Sequence, residues 1–142
     1  MTRWPLPPAM RRALELAREA AEMGEVPVGA VVVKQGKIIG EGFNLTRTTS
    51  DPTAHAEIVA IAMAGQVLGS FDLGGEEMPA CELVTSTEPC AMCFGAVPWS
   101  GVRRLVCGAR DADARAVGFD EGPKLENWKA ALEERGIEVV QD

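Results

Sequence analysis

A single histidine, His55, is all that the 142 residues contain. A metal or catalytic site built on two imidazoles is therefore excluded within one chain. No apolar run approaches the ~20 residues that a membrane-spanning helix needs. The opening Met1-Thr2-Arg3-Trp4-Pro5 lacks the apolar core of a secretory signal. A cytoplasmic protein with no membrane partner is the expectation. Positive charge is also scarce: 14 Lys and Arg stand against 21 Asp and Glu, a net charge of −7. Binding nucleic-acid phosphates needs a basic surface, so the balance argues against a nucleic-acid partner. The acidic excess reads as a solubilising surface. No repeat, low-complexity tract or linker divides the chain. Residues 1–142 are read as one domain, of a length that suits one core.

Four cysteines are present, at positions 81, 90, 93 and 107. Cys90 and Cys93 form a Cys-X-X-Cys pair. Without an export signal, that spacing points to metal or redox chemistry more than to a structural disulfide. Cys81 and Cys107 lie in apolar runs and read as core residues.

Pro7-Pro8 can open a first helix, expected from Pro8 to Met23, with Met10, Leu14, Ala17 and Ala21 at helical spacing and Gly24 ending it. Val28 to Lys34 is nearly all apolar and β-branched, as in a strand buried on both faces. Gln35-Gly36 makes a turn into a hairpin partner, Lys37 to Asn44. Asn44 to Pro52 is a polar loop. His55 to Leu68 is a helix with apolar residues over most of its circumference, as expected of a sandwiched helix. A Gly-rich loop, Phe71 to Pro79, leads to a strand at Cys81 to Ser86 and a short helix at Cys90 to Val97. A strand at Arg103 to Cys107, a loop at Gly108 to Gly122, a helix at Pro123 to Arg135 and a strand at Ile137 to Val140 complete the chain. Strands alternate with helices after the hairpin, which predicts an α/β fold in three α/β/α layers.

Two segments carry the chemistry. His55-Ala56-Glu57 opens the second helix, and Pro89-Cys90-Ala91-Met92-Cys93 opens the third. Cys90 and Cys93 are three apart and share one helix face, so two thiolates can reach one ion. A helix N-terminus carries partial positive charge, which favours the thiolate that zinc requires. His55 supplies a third, neutral ligand. Three protein ligands leave a fourth position for water, the pattern of a catalytic zinc site, whereas a closed structural site would need Cys81 or Cys107. Zinc lowers the pKa of that water to about 7, giving a hydroxide nucleophile at neutral pH. Glu57 can lean over the ion without binding it and carry protons from the water to a ring nitrogen and a leaving amine. Either segment alone is a weak signal, since Cys-X-X-Cys also serves structural zinc and redox dithiols. The pairing is specific.

With these two segments the chain resembles the cytidine deaminase-like superfamily of zinc enzymes. The likeness runs from about Gly24 to Cys107 and more loosely to the end. Asp51-Pro52-Thr53-Ala54-His55-Ala56-Glu57 and Thr87-Glu88-Pro89-Cys90-Ala91-Met92-Cys93-Phe94-Gly95-Ala96 are similar to the guanine deaminase and tRNA adenosine deaminase branch. The resemblance implies a five-stranded mixed sheet with an antiparallel hairpin edge, a homodimer, and release of ammonia from an amino-heterocycle. It implies that Asn44 hydrogen-bonds the base, that Trp99 stacks on it, and that Phe119 and Asp120 of Gly118-Phe119-Asp120-Glu121 stand near the pocket. Guanine is the first candidate substrate. The longer tail of the guanine deaminases and the basic C-terminal helix of the tRNA enzymes have no counterpart after Val139-Val140-Gln141-Asp142. A related amino-purine, cytosine, an amino-triazine or tRNA adenosine are the alternatives. A zinc-stabilised binding domain without catalysis is the contrasting class, and Glu57 speaks against it.

Overall fold

A computed structural model describes residues 6–75 and 79–141. The opening five residues discussed above, three positions of the Phe71–Pro79 loop and the last residue lie outside it. Helix α1 spans Pro8–Glu22, with Pro7 before it at φ −57° and Pro8 at its first position, where a missing N–H costs nothing. Strands β1 (Gly29–Lys34) and β2 (Lys37–Phe43) form the expected hairpin. Helix α2 spans Ala56–Leu68, β3 Cys81–Thr87, α3 Ala91–Ser100 and β4 Arg104–Ala109. They are followed by α4 (Asp111–Ala116), α5 (Trp128–Glu133) and β5 (Glu138–Gln141).

The five strands form one open sheet in the order β2-β1-β3-β4-β5. β1 pairs antiparallel with both β2 and β3, while β3–β4 and β4–β5 are parallel. This is the expected mixed sheet with its hairpin at one edge. Its two faces carry separate cores. Met10, Ala13 and Leu16 of α1 pack on Val31, Val33 and Val84. On the opposite face, Ala56, Ala60, Ala64, Val97, Trp128 and Leu132 pack on Ala30, Val32, Leu83, Leu105 and Cys107. Alternation along each strand sends neighbouring residues to opposite faces, so β1, buried from Gly29 to Val33, serves both cores. Cys81 and Cys107 are free and buried in the second core, as expected.

Close backbone approach fixes the helices on the sheet. A Cβ at Gly29 would collide with the backbone of Ala13 and Ala17. That contact turns Ala13, Leu16, Ala17 and Ala20 inward and leaves Leu14 42% exposed, so the buried stripe of α1 is rotated from the one predicted. Similarly, Gly40 and Gly42 on β2 lie against the carbonyls of Ala60 and Ala56. The stripe Ala56, Ala60 and Ala64 is fully buried there, while Met63 and Val67 face outward. α2 is thus covered on one side within this chain, not sandwiched.

Two other expectations fail after β4. The predicted loop from Gly108 to Gly122 contains α4. Its Asp-Ala-Asp-Ala-Arg-Ala run places acids in the first turn and Arg115 in the last, in line with the helix dipole. An Arg115–Asp111 pair at 2.6 Å spans one turn. The helix expected from Pro123 begins only at Trp128, because Gly122 to Asn127 turns inward to bury the Lys124 side chain. Among the described residues, no helix is long and apolar enough to cross a membrane.

Candidate active site

The N-termini of α2 and α3 meet beyond the C-terminal ends of β3 and β4, the usual ligand position in an open α/β sheet. His55 precedes the first residue of α2 in an extended conformation, and its carbonyl accepts the N–H of Val59. Cys90 holds the equivalent position on α3, and its carbonyl accepts the N–H of Phe94. One turn on, Cys93 is fully buried. His55 Nδ1 lies 3.4 Å from Cys90 Sγ and 3.6 Å from Cys93 Sγ. All three donor atoms fall within 4.8 Å of one another. Two thiols and one imidazole nitrogen at that spacing fit a zinc ion with an open fourth position.

The electrostatics agree with that fit. A hydrogen bond with Cys93, together with one to His55, pushes the Cys90 thiol down to about 4, so it is a thiolate at neutral pH. Cys93 holds the proton of that bond and is shifted up. A divalent cation between the two sulfurs favours both thiolates. The Cys90 hydrogen bond raises the His55 imidazole. Glu57, the second residue of α2, is 3% exposed. Burial pushes its carboxyl up to about 7. A carboxyl balanced there can both take and give a proton near neutrality.

His55, Glu57 and Cys90 form the floor of a cavity of about 430 Å³, with Cys93 buried beneath it. Asn44, Phe119 and Asp120 line it. Asn44 is buried, and its Oδ1 accepts the N–H and hydroxyl of Thr46 at 3.0 and 2.9 Å. The amide Nδ2 is left as the group to present to a ligand. Asp120 accepts the N–H of Gly122 at 2.9 Å and is exposed at the rim. Trp99 is not brought to this pocket: it is 87% exposed and absent from the lining. It sits at the far end of α3 from Cys90. Nine residues of helix displace it by roughly 13 Å along the axis.

Sequence reasoning missed four contributors. Glu121, beside the expected Asp120, lines the cavity, and burial together with the charge of Cys90 raises its carboxyl. Its carbonyl also accepts the N–H of Ala91, the first residue of α3. Glu25 is buried behind the loop that carries Asn44 and accepts the N–H and hydroxyl of Thr48 at 2.7 and 2.8 Å. Burial pushes the Glu25 carboxyl up, but the bonds from Thr48 and Arg47 outweigh it and hold it below the ordinary carboxylate range. Glu88 and Lys124 pair behind the metal turn at 2.6 Å. Glu88 and Glu121 stood inside segments that the resemblance drew on, without a role of their own. Glu25 and Lys124 hold loops through backbone groups, which no residue pattern announces.

Comparison with known proteins accords with this geometry. Residues 7–109 match the family described as the cytidine and deoxycytidylate deaminase zinc-binding region. The guanine deaminase of Bacillus subtilis is 42% identical over 133 residues, 93% of this chain and 82% of that protein. The tRNA-specific adenosine deaminase of Haemophilus influenzae is 46% identical over 110 residues, 77% of this chain. The chain spans about three fifths, 61%, of that second relative. Among solved structures, NE0047 in complex with 2,6-diaminopurine superposes with a TM-score of 0.91 at 49% identity, over 94% of this chain and 71% of that one. The chain belongs to the cytidine and deoxycytidylate deaminase zinc-binding family and is a zinc-dependent deaminase.

Proposed function

We propose that this chain hydrolyses the exocyclic amino group of a free amino-heterocyclic base, with guanine first, and releases ammonia. The carrying observation is the charge of the cavity wall. Glu57, Asp113, Asp120 and Glu121 line it beside Glu88, whose charge Lys124 offsets from behind, and no Lys or Arg lines it among the described residues. A phosphorylated nucleotide or a tRNA strand would meet acids where it needs cations. A neutral purine rich in N–H donors finds acceptors there. The B. subtilis guanine deaminase and the 2,6-diaminopurine complex point to the same class of ligand.

In this reading His55 Nδ1, Cys90 Sγ and Cys93 Sγ hold the zinc ion. When bound, the ion supplies Lewis acidity that makes a water nucleophilic at neutral pH. The Glu57 carboxylate takes a proton from the attacking water and passes it to the ring nitrogen beside the amino-bearing carbon. It then carries the second proton to the departing amine, so that water and amine leave as a ring carbonyl and ammonia. Asn44 Nδ2 donates to an acceptor of the base. Phe119 covers a ring face, and Asp120 and Glu121 accept from ring N–H and amino groups. A homodimer is part of the reading. Met63, Val67, Phe71 and Trp99 are 45%, 62%, 97% and 87% exposed, and apolar side chains this open on α2, the loop after it and α3 favour association through that side. Trp99 then serves that contact instead of its own pocket. The free thiols Cys81 and Cys107 suit a reducing cytoplasm.

Zinc-loaded protein tested for ammonia release on guanine, adenine, cytosine, an amino-triazine and their nucleosides should favour guanine. Silence across that panel, with turnover of a tRNA anticodon stem-loop, would overturn the reading in favour of tRNA editing.

A further inference from the structure

Behind the metal turn lies a buried cation that the reaction itself does not use. The Lys124 side chain is 4% exposed and that of Glu88 7%. Lys124 Nζ donates to Glu88 Oε2 at 2.6 Å and to the carbonyl of Pro89. It sits 4.4 Å from the centre of the Trp128 ring and 4.0 Å from Asp111 Oδ1. Gln141 Nε2, at the end of β5, donates to Glu88 Oε1 at 2.6 Å. Both oxygens of the Glu88 carboxylate are thus satisfied, while Asp111 Oδ1 faces the ammonium without a hydrogen bond of its own.

A buried ion pair is poor evidence for stability, since two apolar residues of similar volume often do as well or better. What it supplies is a fixed geometry, and here that geometry joins two parts of the site. On one side, Glu88 and Pro89 run directly into Cys90. On the other, Lys124 closes the strand of chain that carries Phe119, Asp120 and Glu121 into the cavity. The two runs are stitched a second time, where the Ala91 N–H donates to the Glu121 carbonyl at 2.8 Å. Lys124, three residues beyond that wall, is thus bonded directly to the metal turn.

We propose that Lys124 is a positioning residue: through Glu88 and the Pro89 carbonyl it holds the Cys90 turn closed on its metal, and it keeps the 119–121 wall at a fixed distance from that metal. Removal of the ammonium frees the Pro89 carbonyl, loosens the first turn of α3 and lets the wall drift. The first consequence depends only on the metal site. The second rests on the substrate-wall reading above.

The test uses zinc-loaded protein, Lys124→Met and the double variant Lys124→Met with Glu88→Gln. Zinc transfer to a chromogenic chelator is timed well below each unfolding midpoint, and kcat and KM are measured for the best base of the panel. Lys124→Met leaves the buried Glu88 carboxylate without a counter-ion, held only by Gln141, and should melt early. The double variant removes that penalty and should regain most of the lost melting temperature. The expected result is that the double variant nonetheless releases zinc at least about tenfold faster than the wild type, the size of effect seen when a ligand's support is removed, and shows a raised KM with a smaller change in kcat. A double variant that regains zinc retention and KM along with its melting temperature overturns the proposal, as does one that does not fold. Wild-type silence on every free base would sink the substrate reading instead, and the zinc-release rates would still decide this one.

Discussion

The floor of the cavity and its wall are built by different means. The floor comes from two helix N-termini, where His55 and Cys90 occupy equivalent positions and Glu57 and Cys93 follow within a turn. α2 is pressed onto the sheet at Gly40 and Gly42, and α3 buries Cys93 and Val97, so four functional side chains inherit the rigidity of the core. The wall comes from loops. Asn44 is aimed by Thr46, the Thr46–Thr48 stretch hangs on Glu25, and the run from Phe119 to Glu121 is tied down by Lys124 and the Ala91 N–H. On the proposed reading, reaction type resides in the rigid part and substrate choice in the tethered part. Changes to the floor should abolish the chemistry, while changes to the wall should redirect or weaken it.

The largest effect is expected from Cys93→Ala. It removes a ligand and opens a cavity beneath α3, so zinc content and activity should both fall to the level of metal-free protein. Metal analysis beside an ammonia assay checks this, and a zinc-replete, active variant would break the division between floor and wall. Next in size is Glu57→Gln, which keeps shape and hydrogen bonding but cannot carry a proton. Zinc stoichiometry and fold should stay intact, while kcat falls about 10²–10⁴-fold. Retained turnover would remove Glu57 from the proton path.

The floor was legible in the sequence, and the wall only partly. A helix N-terminus couples residue spacing to geometry, so His-X-Glu and Cys-X-X-Cys could be read straight into a three-donor cluster. The alternation of apolar runs gave the sheet and its hairpin edge for a related reason, since pleat and hydrogen bonding tie pattern to position. Backbone contact erased the signal elsewhere. Gly29 against Ala13 rotated the buried stripe of α1, and the inward turn of Lys124 delayed α5 to Trp128. Trp99 was expected at the base because it follows the zinc motif, but helix length carries it away from its own pocket. Glu25 and Glu121 act on loop backbone and cavity lining through tertiary placement alone, where sequence distance says nothing.

A wall residue gives the middle effect. Asn44→Ala deletes one donor from the pocket and removes the acceptor of the Thr46 N–H and hydroxyl. kcat/KM for the best base should drop by about 10–100-fold, the usual size for a lost buried hydrogen bond. The decline should lie mainly in KM if Asn44 binds ground state and transition state alike. It should also be uneven across the base panel, since ring acceptors differ in position. A uniform loss across all bases would mean that Asn44 supports the loop and selects nothing.

The smallest effect concerns the tether itself, through Glu25. Its carboxyl is held below the ordinary value of 4.5 because the Thr48 and Arg47 donors outweigh the burial that would raise it. A group bound more tightly as its anion in the folded chain contributes stability that is complete above the unfolded pKa. That contribution is lost as the pH falls through the folded one. Glu25→Gln should therefore lower the melting temperature by a few degrees at pH 7, and the gap between variant and wild type should narrow steadily as the pH drops below about 4.5. At pH 7 the variant should also raise KM, because Thr46 and Thr48 lose the anchor that aims Asn44, while zinc content stays at the wild-type level. Thermal melts at pH 7, 5 and 4 follow the first effect. A gap that stays constant with pH would show that shape, not charge, holds the loop. A fall in zinc content would show that the wall and the floor are not separable at this point.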